Sequence, residues 1–116
     1  MYENNMLECP NIYQNPDGSY GRTEVTTLQY AGCLLKIHRR VVGSKVRYEA
    51  FADFYGDEEA ANRFDHEMYY ENNIMSDGGA LSGEDGDVHV ECDYNPRDII
   101  EAYLGKPHSV SLEVKN

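Results

Sequence analysis

Residues 33–54 have the sequence CLLKIHRRVVGSKVRYEAFADF, which is the clearest structural signal in the chain. Apolar and polar side chains alternate on either side of Gly43 and Ser44, which is typical of two β-strands joined by a short turn. A two-residue Gly-Ser loop favours a type II′ turn, which pairs Val42 with Lys45. Because successive side chains point to opposite faces of a strand, this single pairing predicts the register of the whole hairpin.

The predicted register gives the hairpin one apolar face and one charged face. The apolar face, which we expect to be buried, has Cys33, Leu35, Ile37, Arg39 and Val41 opposite Phe54, Ala52, Ala50, Tyr48 and Val46. The charged face, which we expect to be exposed, carries Lys36, His38, Arg40, Lys45, Arg47 and Glu49.

Two pairings on the charged face need an explanation. Arg40 lies opposite Arg47, and like charges in this position cost about 0.2 to 1 kcal/mol. We therefore expect a carboxylate of this chain or of a partner beside them, and we expect replacement of Arg40 by Glu to raise stability. The predicted anion-facing residues are Lys36, Arg40, Lys45 and Arg47. His38 faces Glu49, which we interpret as an ion pair that helps to fix the register.

The rest of the chain alternates strands with two helices. Residues 24–30, 88–94 and 110–114 are predicted strands, and in the second of these alternate residues from Val88 to Tyr94 should point inward. Helices are predicted over 57–72, capped by Asp57, and from Asn95 to Leu104, capped by Asn95.

The order of elements predicts an α+β fold, a mainly antiparallel sheet with two helices packed on one face. A chain of 116 residues is expected to form one domain, residues 1–116, and a ferredoxin-like arrangement is one candidate for it. The turn signal at 15–18 predicts a weak hairpin within residues 1–22 and leaves the order of that segment open. Residues 75–87 contain four glycines and are predicted to form a flexible loop.

Motifs for catalysis and metal binding are incomplete. His66-Glu67 resembles the start of the zinc motif His-Glu-x-x-His, but Tyr70 stands where the second histidine is needed. Residues 84–87 are acidic and glycine-rich without the ligand spacing of a calcium loop. The cysteines, Cys9, Cys33 and Cys92, have neither zinc nor disulfide spacing and are expected to stay reduced. We therefore expect no enzyme activity, no catalytic residue, no metal and no cofactor.

Charge is distributed unevenly along the chain. Its formal net charge is −11, and sixteen of its 21 acidic residues lie between Glu49 and Glu101, where the only cations are Arg63 and Arg97. A protein with this net charge repels nucleic acid and anionic membranes. We therefore expect it to bind neither of them directly. The N-terminus lacks the cationic start of a secretory signal, and no apolar run is long enough for a membrane span. A cytoplasmic location is expected.

These observations favour a non-enzymatic binding protein that presents a rigid acidic face to a basic protein surface, one that handles nucleic acid. The predicted partner-binding residues are Glu58, Glu59, Asp65, Glu67, Tyr70, Glu71, Glu84, Asp85, Asp87, Glu91 and Asp93. In size and charge the chain resembles the DNA-mimicking inhibitors of phages and mobile elements, including anti-CRISPR and anti-restriction proteins. That resemblance covers no motif and assigns no role to any residue.

Three other hypotheses remain open at this point. The first is an immunity protein or antitoxin that neutralises a cationic nuclease toxin. The second makes the basic hairpin face the binding site for a phosphorylated small molecule or an RNA end. The third is a structural component that oligomerises by docking the basic hairpin of one subunit on the acidic helix of the next.

Overall fold

The computed structural model describes residues 23–42, 45–78 and 86–115. Its strands are β1 (Thr23–Gln29), β2 (Leu34–Val42), β3 (Lys45–Asp53), β4 (Met75–Gly78), β5 (Asp87–Cys92) and β6 (Ser109–Lys115). Its helices are α1 (Glu58–His66), which continues directly into a π-helical segment (Glu67–Glu71), and α2 (Arg97–Leu104). The predicted hairpin within residues 1–22, Cys9 and the Gly43–Ser44 turn lie outside the described residues.

The strands form one six-stranded sheet in the order β4-β5-β3-β2-β1-β6, and every neighbouring pair is antiparallel. The α+β class and the mainly antiparallel sheet are therefore confirmed. A ferredoxin-like sheet contains parallel neighbours made by βαβ crossovers. Because the described sheet has none, the ferredoxin-like candidate is wrong.

The register of the β2–β3 hairpin is the predicted one. Val42 pairs with Lys45, Ile37 with Ala50 and Leu35 with Ala52. The single arginine on the apolar face, Arg39, is accommodated by polar neighbours, since its guanidinium lies 3.8 Å from a carboxylate oxygen of Glu24 and donates a hydrogen bond to the hydroxyl of Tyr48.

Both helices pack on the apolar face of the sheet. Leu28, Leu35, Ala50, Val88 and Val90 of the sheet are fully buried against Phe64 and Met68 of the first helical unit and Ile100 of α2. Burial of an aliphatic or aromatic side chain of this size stabilises a fold by about 1.5 to 3 kcal/mol. This layer is therefore the core of the protein.

The first helix begins as predicted and ends differently. The side chain of Asp57 accepts a hydrogen bond from the backbone N–H of Ala60, so Asp57 is the N-cap. After His66 the helix widens into the π-helical segment, which is closed by a hydrogen bond from the N–H of Ile74 to the carbonyl of Met68. Tyr69 and Tyr70, both in the π-helical segment, are exposed.

The charged face of the hairpin differs from the prediction, because much of it is buried. His38, Arg40 and Glu49 are only 2%, 5% and 4% exposed, and Phe51 on the same face is also buried. The expectation that this face is exposed is therefore wrong at its centre. It holds at Lys45 and Arg47, which are exposed, while Lys36 is half-buried.

The predicted loop over 75–87 is wrong at both ends. Met75–Gly78 is an edge strand paired with β5, and Gly86 packs tightly against the turn that follows β3. A Cβ atom added to Gly86 would lie only 2.5 Å from the backbone nitrogen of Gly56, so this position requires glycine. Residues 79–85 lie outside the described residues.

The C-terminal elements follow the prediction with two differences. Asn95 accepts a hydrogen bond from the N–H of Arg97 and so caps α2, although the helix is assigned one residue later than predicted. Tyr94, predicted to point inward, is half exposed. The apolar side chains of β6, at Val110 and Leu112, are also exposed because this strand forms the far edge of the sheet.

Candidate functional site

The predicted partner-binding residues do not share one face. Glu58, Glu59, Tyr70 and Glu71 are exposed on the helical side of the molecule, and Asp93 is exposed just after β5. Asp65 and Glu67 are half-buried on the same helical side. Glu91 points to the opposite face of the sheet, because it follows the buried Val90 along β5. Glu84 and Asp85 lie outside the described residues.

One group of acids lies where β3 ends and β5 begins. Asp53 pairs with Asp87 across the two antiparallel strands, so their carboxylates lie on the same sheet face. Gly86 joins this end of β5 to the turn before α1, since its carbonyl accepts a hydrogen bond from the N–H of Phe54 at 2.7 Å. With the acids of the turn and of the start of α1, Asp53 and Asp87 form a group, the acidic turn, whose members are Asp53, Asp57, Glu58, Glu59 and Asp87.

The backbone of the acidic turn has an unusual conformation at Tyr55. Its φ angle is +54°, a left-handed value that is uncommon for an aromatic residue, and its side chain is exposed. A hydrogen bond from its N–H to the carboxylate of Asp53 holds this conformation at 2.8 Å. Sequence reasoning missed Asp53 and Asp57 as members of the group, because the pairing of β5 with β3 cannot be read from local patterns.

A second group lines a groove between the π-helical segment and α2. The groove has a volume of about 340 Å³ and is lined by Glu67, Asn72, Asp98, Ile99, Ala102 and Tyr103. The amide of Asn72 donates hydrogen bonds to the carbonyl and to the carboxylate of Glu67, at 2.9 and 3.2 Å. Two carboxylates therefore face an aliphatic and aromatic wall, a combination that suits a cation on an apolar stem.

Exposed aromatic side chains cluster on the first helical unit. The rings of Tyr69 and Tyr70 meet edge to face at 4.9 Å, and His66 stacks in a tilted arrangement on Tyr70 at the same distance. Tyr70, which stands where the zinc motif needs its second histidine, therefore contacts the ring of His66. Asp65 is occupied by a hydrogen bond from the hydroxyl of Ser76 on β4. It helps to hold this helix against the sheet edge.

The buried charged face forms a salt-bridge network. The guanidinium of Arg40 lies 3.3 Å from one oxygen of Glu49, and His89 lies 2.9 Å from the other. Arg47 lies 3.3 Å from Glu91. The prediction of a carboxylate beside each of the two opposed arginines is confirmed, and both carboxylates belong to this chain.

The same network contains a group that could hold a metal ion. The group consists of Glu49, His89 and Glu91. Each residue offers one ligand atom, and these three atoms lie within 4.8 Å of one another. The guanidinium groups of Arg40 and Arg47 already balance the two carboxylate charges, which disfavours a further dication at this position. Sequence reasoning missed the group because Glu49 and His89 are forty residues apart and meet only through the β3–β5 register.

Every arginine in the described ranges has a carboxylate partner in its own chain. The pairs are Arg39 with Glu24, Arg40 with Glu49, Arg47 with Glu91, Arg63 with Glu59 and Arg97 with Glu101. The basic block of the hairpin is thus largely neutralised within the chain. Exposed acids remain on the helical side at Glu71 and Asp98.

The two described cysteines are free thiols. Burial raises the pKa of Cys33 to about 12, so this thiol stays protonated and unreactive at neutral pH. Burial also raises the pKa of Cys92, whose thiol donates a hydrogen bond to the carbonyl of Tyr94 at 2.9 Å. The predicted shielding is confirmed for Cys33, whereas Cys92 is half-buried.

No protein-family model, curated protein or solved structure matches the chain. Among the described residues, helices are all too short and too polar to cross a bilayer.

Proposed function

We propose that this protein is a non-enzymatic inhibitor whose acidic helical side binds a basic, nucleic-acid-handling protein surface. One observation carries the proposal. The described arginines are paired within the chain, whereas carboxylates on the helical side, such as Glu71 and Asp98, are exposed to solvent. The negative field is therefore concentrated where a partner can reach it.

The exposed acids are mounted on regular structure. Glu58 begins α1, Glu71 ends the π-helical segment and Asp98 lies in the first turn of α2, while Glu59 is paired with Arg63. Charges held on such elements lose little conformational freedom on binding, so more of their interaction energy is available as affinity. Carboxylates presented in this way can occupy the phosphate positions of a nucleic-acid-binding surface and so block it.

The same acidic side would also serve an immunity protein or antitoxin against a cationic nuclease, and the identity of the partner separates these two functions. The phosphate-binding hypothesis is weaker, because Arg40 is buried against Glu49 and Arg47 pairs with Glu91. A phosphate ligand would have to displace Glu49 and Glu91, which belong to the same chain as the two arginines.

The proposal is tested by capturing the partner from the native host with the tagged protein and then measuring association kinetics with the purified partner. Glu71→Lys is compared with Glu113→Lys, because both residues are exposed, both substitutions change the charge by two, and Glu113 lies on β6 at the far edge of the sheet. We expect Glu71→Lys to slow association about threefold or more, and added salt to slow the parent likewise.

Inhibition is measured in the same system with labelled DNA or RNA bound to the captured partner. The protein should displace the nucleic acid, and Glu71→Lys should do so less effectively than Glu113→Lys. Equal effects of the two substitutions would show that net charge and not the helical side matters. A partner that keeps its nucleic acid in the complex would refute the proposed blocking function.

A further inference from the structure

We propose that the groove between the π-helical segment and α2 is a receptor for one arginine side chain of the partner. This inference rests on the proposed function and adds the chemistry of the contact. The groove brings two acidic residues and an apolar wall together around a volume of about 340 Å³.

Charge complementarity selects a cationic occupant. Glu67 and Asp98 come from different helical elements and line the same groove. Asp98 is exposed in the first turn of α2, and the backbone and side chain of Glu67 are held by the amide of Asn72. A cation placed between the two elements would therefore meet two acidic residues, one of which, Glu67, is already held in position.

The wall of the groove selects arginine over lysine. Tyr103 is partly exposed there and is supported from behind by Phe64, with ring centroids 6.2 Å apart. A guanidinium stacks on an aromatic face and can bond two carboxylates through its fork of donors, while an ammonium is a compact, strongly hydrated charge. Ile99 and Ala102 offer apolar contact to the methylene stem of the incoming side chain.

The test uses the full chain and small probes, so that it does not depend on any partner. The isotope-labelled protein is titrated with N-acetyl-arginine amide, N-acetyl-lysine amide and N-acetyl-citrulline amide, and amide chemical shifts are followed by NMR. We expect the arginine probe to bind with a Kd in the millimolar range and to shift amides of the 67–72 and 98–103 segments. The lysine probe should bind more weakly, and the neutral citrulline probe should not bind.

Isosteric variants locate the contact. Glu67→Gln and Asp98→Asn should each weaken the arginine probe about two- to fivefold, the range for partly exposed charge pairs. Glu113→Gln is the matched control, because Glu113 is an exposed acid on β6 that does not line the groove. It should leave binding unchanged, and the NMR spectrum of each variant reports directly whether it is folded.

The inference is overturned if arginine shifts are spread evenly over the acidic residues, if citrulline binds as well as arginine, or if Glu113→Gln weakens binding as much as the groove variants. Each of these results would leave the acidic-side proposal standing. Arginine binding in the groove combined with equal kinetic effects of Glu71→Lys and Glu113→Lys would instead support the groove and refute the acidic-side inhibitor.

Discussion

The buried pair of Arg40 and Glu49 gives the sharpest test of the fold. The two side chains are 6% and 5% exposed, and their charged atoms lie 3.3 Å apart. Removing one partner of a buried pair leaves an uncompensated charge and costs about 3 to 5 kcal/mol. A domain of this size is stable by about 5 to 15 kcal/mol, so Arg40→Met or Glu49→Gln should each remove a large part of that stability.

The double variant should lose less than the sum of the two single variants, because it leaves neither charge alone. Urea unfolding followed by circular dichroism gives all four corners of the double-mutant cycle, and we expect a coupling energy of about 1 to 3 kcal/mol. Arg40→Glu should be more damaging still, since it places a second carboxylate beside the buried Glu49. This reverses the expectation from sequence that Arg40→Glu stabilises the hairpin.

The neighbouring pair of Arg47 and Glu91 is the built-in control. It lies on the same sheet face at the same 3.3 Å distance, but its side chains are 44% and 40% exposed. Solvent screening reduces such a pair to about 1 kcal/mol or less. Arg47→Met should therefore cost much less than Arg40→Met, and equal losses for the two substitutions would refute the argument that burial sets the energy.

Two further predictions concern the packing of the turn and the buried thiol. Gly86→Ala should lower stability by about 1 to 3 kcal/mol in thermal or urea unfolding, because its Cβ would lie 2.5 Å from the backbone of Gly56. Gly32→Ala is the control and should change stability little, since a Cβ at Gly32 would have no atom within 4 Å. Equal effects of the two substitutions would rule out the close contact. Burial raises the pKa of Cys33 from 9.0 to about 12. Between these two values the folded state keeps a proton that the unfolded state releases. The free energy of unfolding should therefore fall as pH rises from about 9 to about 12. Cys33→Ala should reduce this pH dependence, and an unchanged slope would contradict the assignment.

Local patterns were sufficient for five of the six described strands, for the start of both helices and for the β2–β3 hairpin. A two-residue turn fixes its own register, so the pairing of His38 with Glu49 and of Arg40 with Arg47 could be predicted from residues within the hairpin. The cap at Asp57 depends equally on neighbours in sequence. Such features are local, and their physical causes are visible in the chain itself.

The order of the strands depends on contacts between distant segments, so it could not be predicted from local patterns. The placement of β5 beside β3 brings Glu91 opposite Glu49 and His89 opposite Phe51. Strand 75–78 was also missed, because its four residues are stabilised by pairing with β5 and contain a glycine, which disfavours a strand. The π-helical segment has no sequence signal that distinguishes it from a continued α-helix.

The position of β5 also determines where the charge of the molecule lies. Its outward side chains bring Glu91 to Arg47 and His89 to Glu49, so one sheet face carries a compensated network of both signs. Paired opposite charges cancel at a distance, whereas exposed acids on the helical side do not. The basic block of residues 36–47 and the acidic block of residues 49–101 therefore have different consequences in the folded chain. The first, together with Glu49 and Glu91, forms the compensated network on the sheet, and the exposed acids of the second, such as Glu71 and Asp98, supply the field on which the proposed partner binding depends.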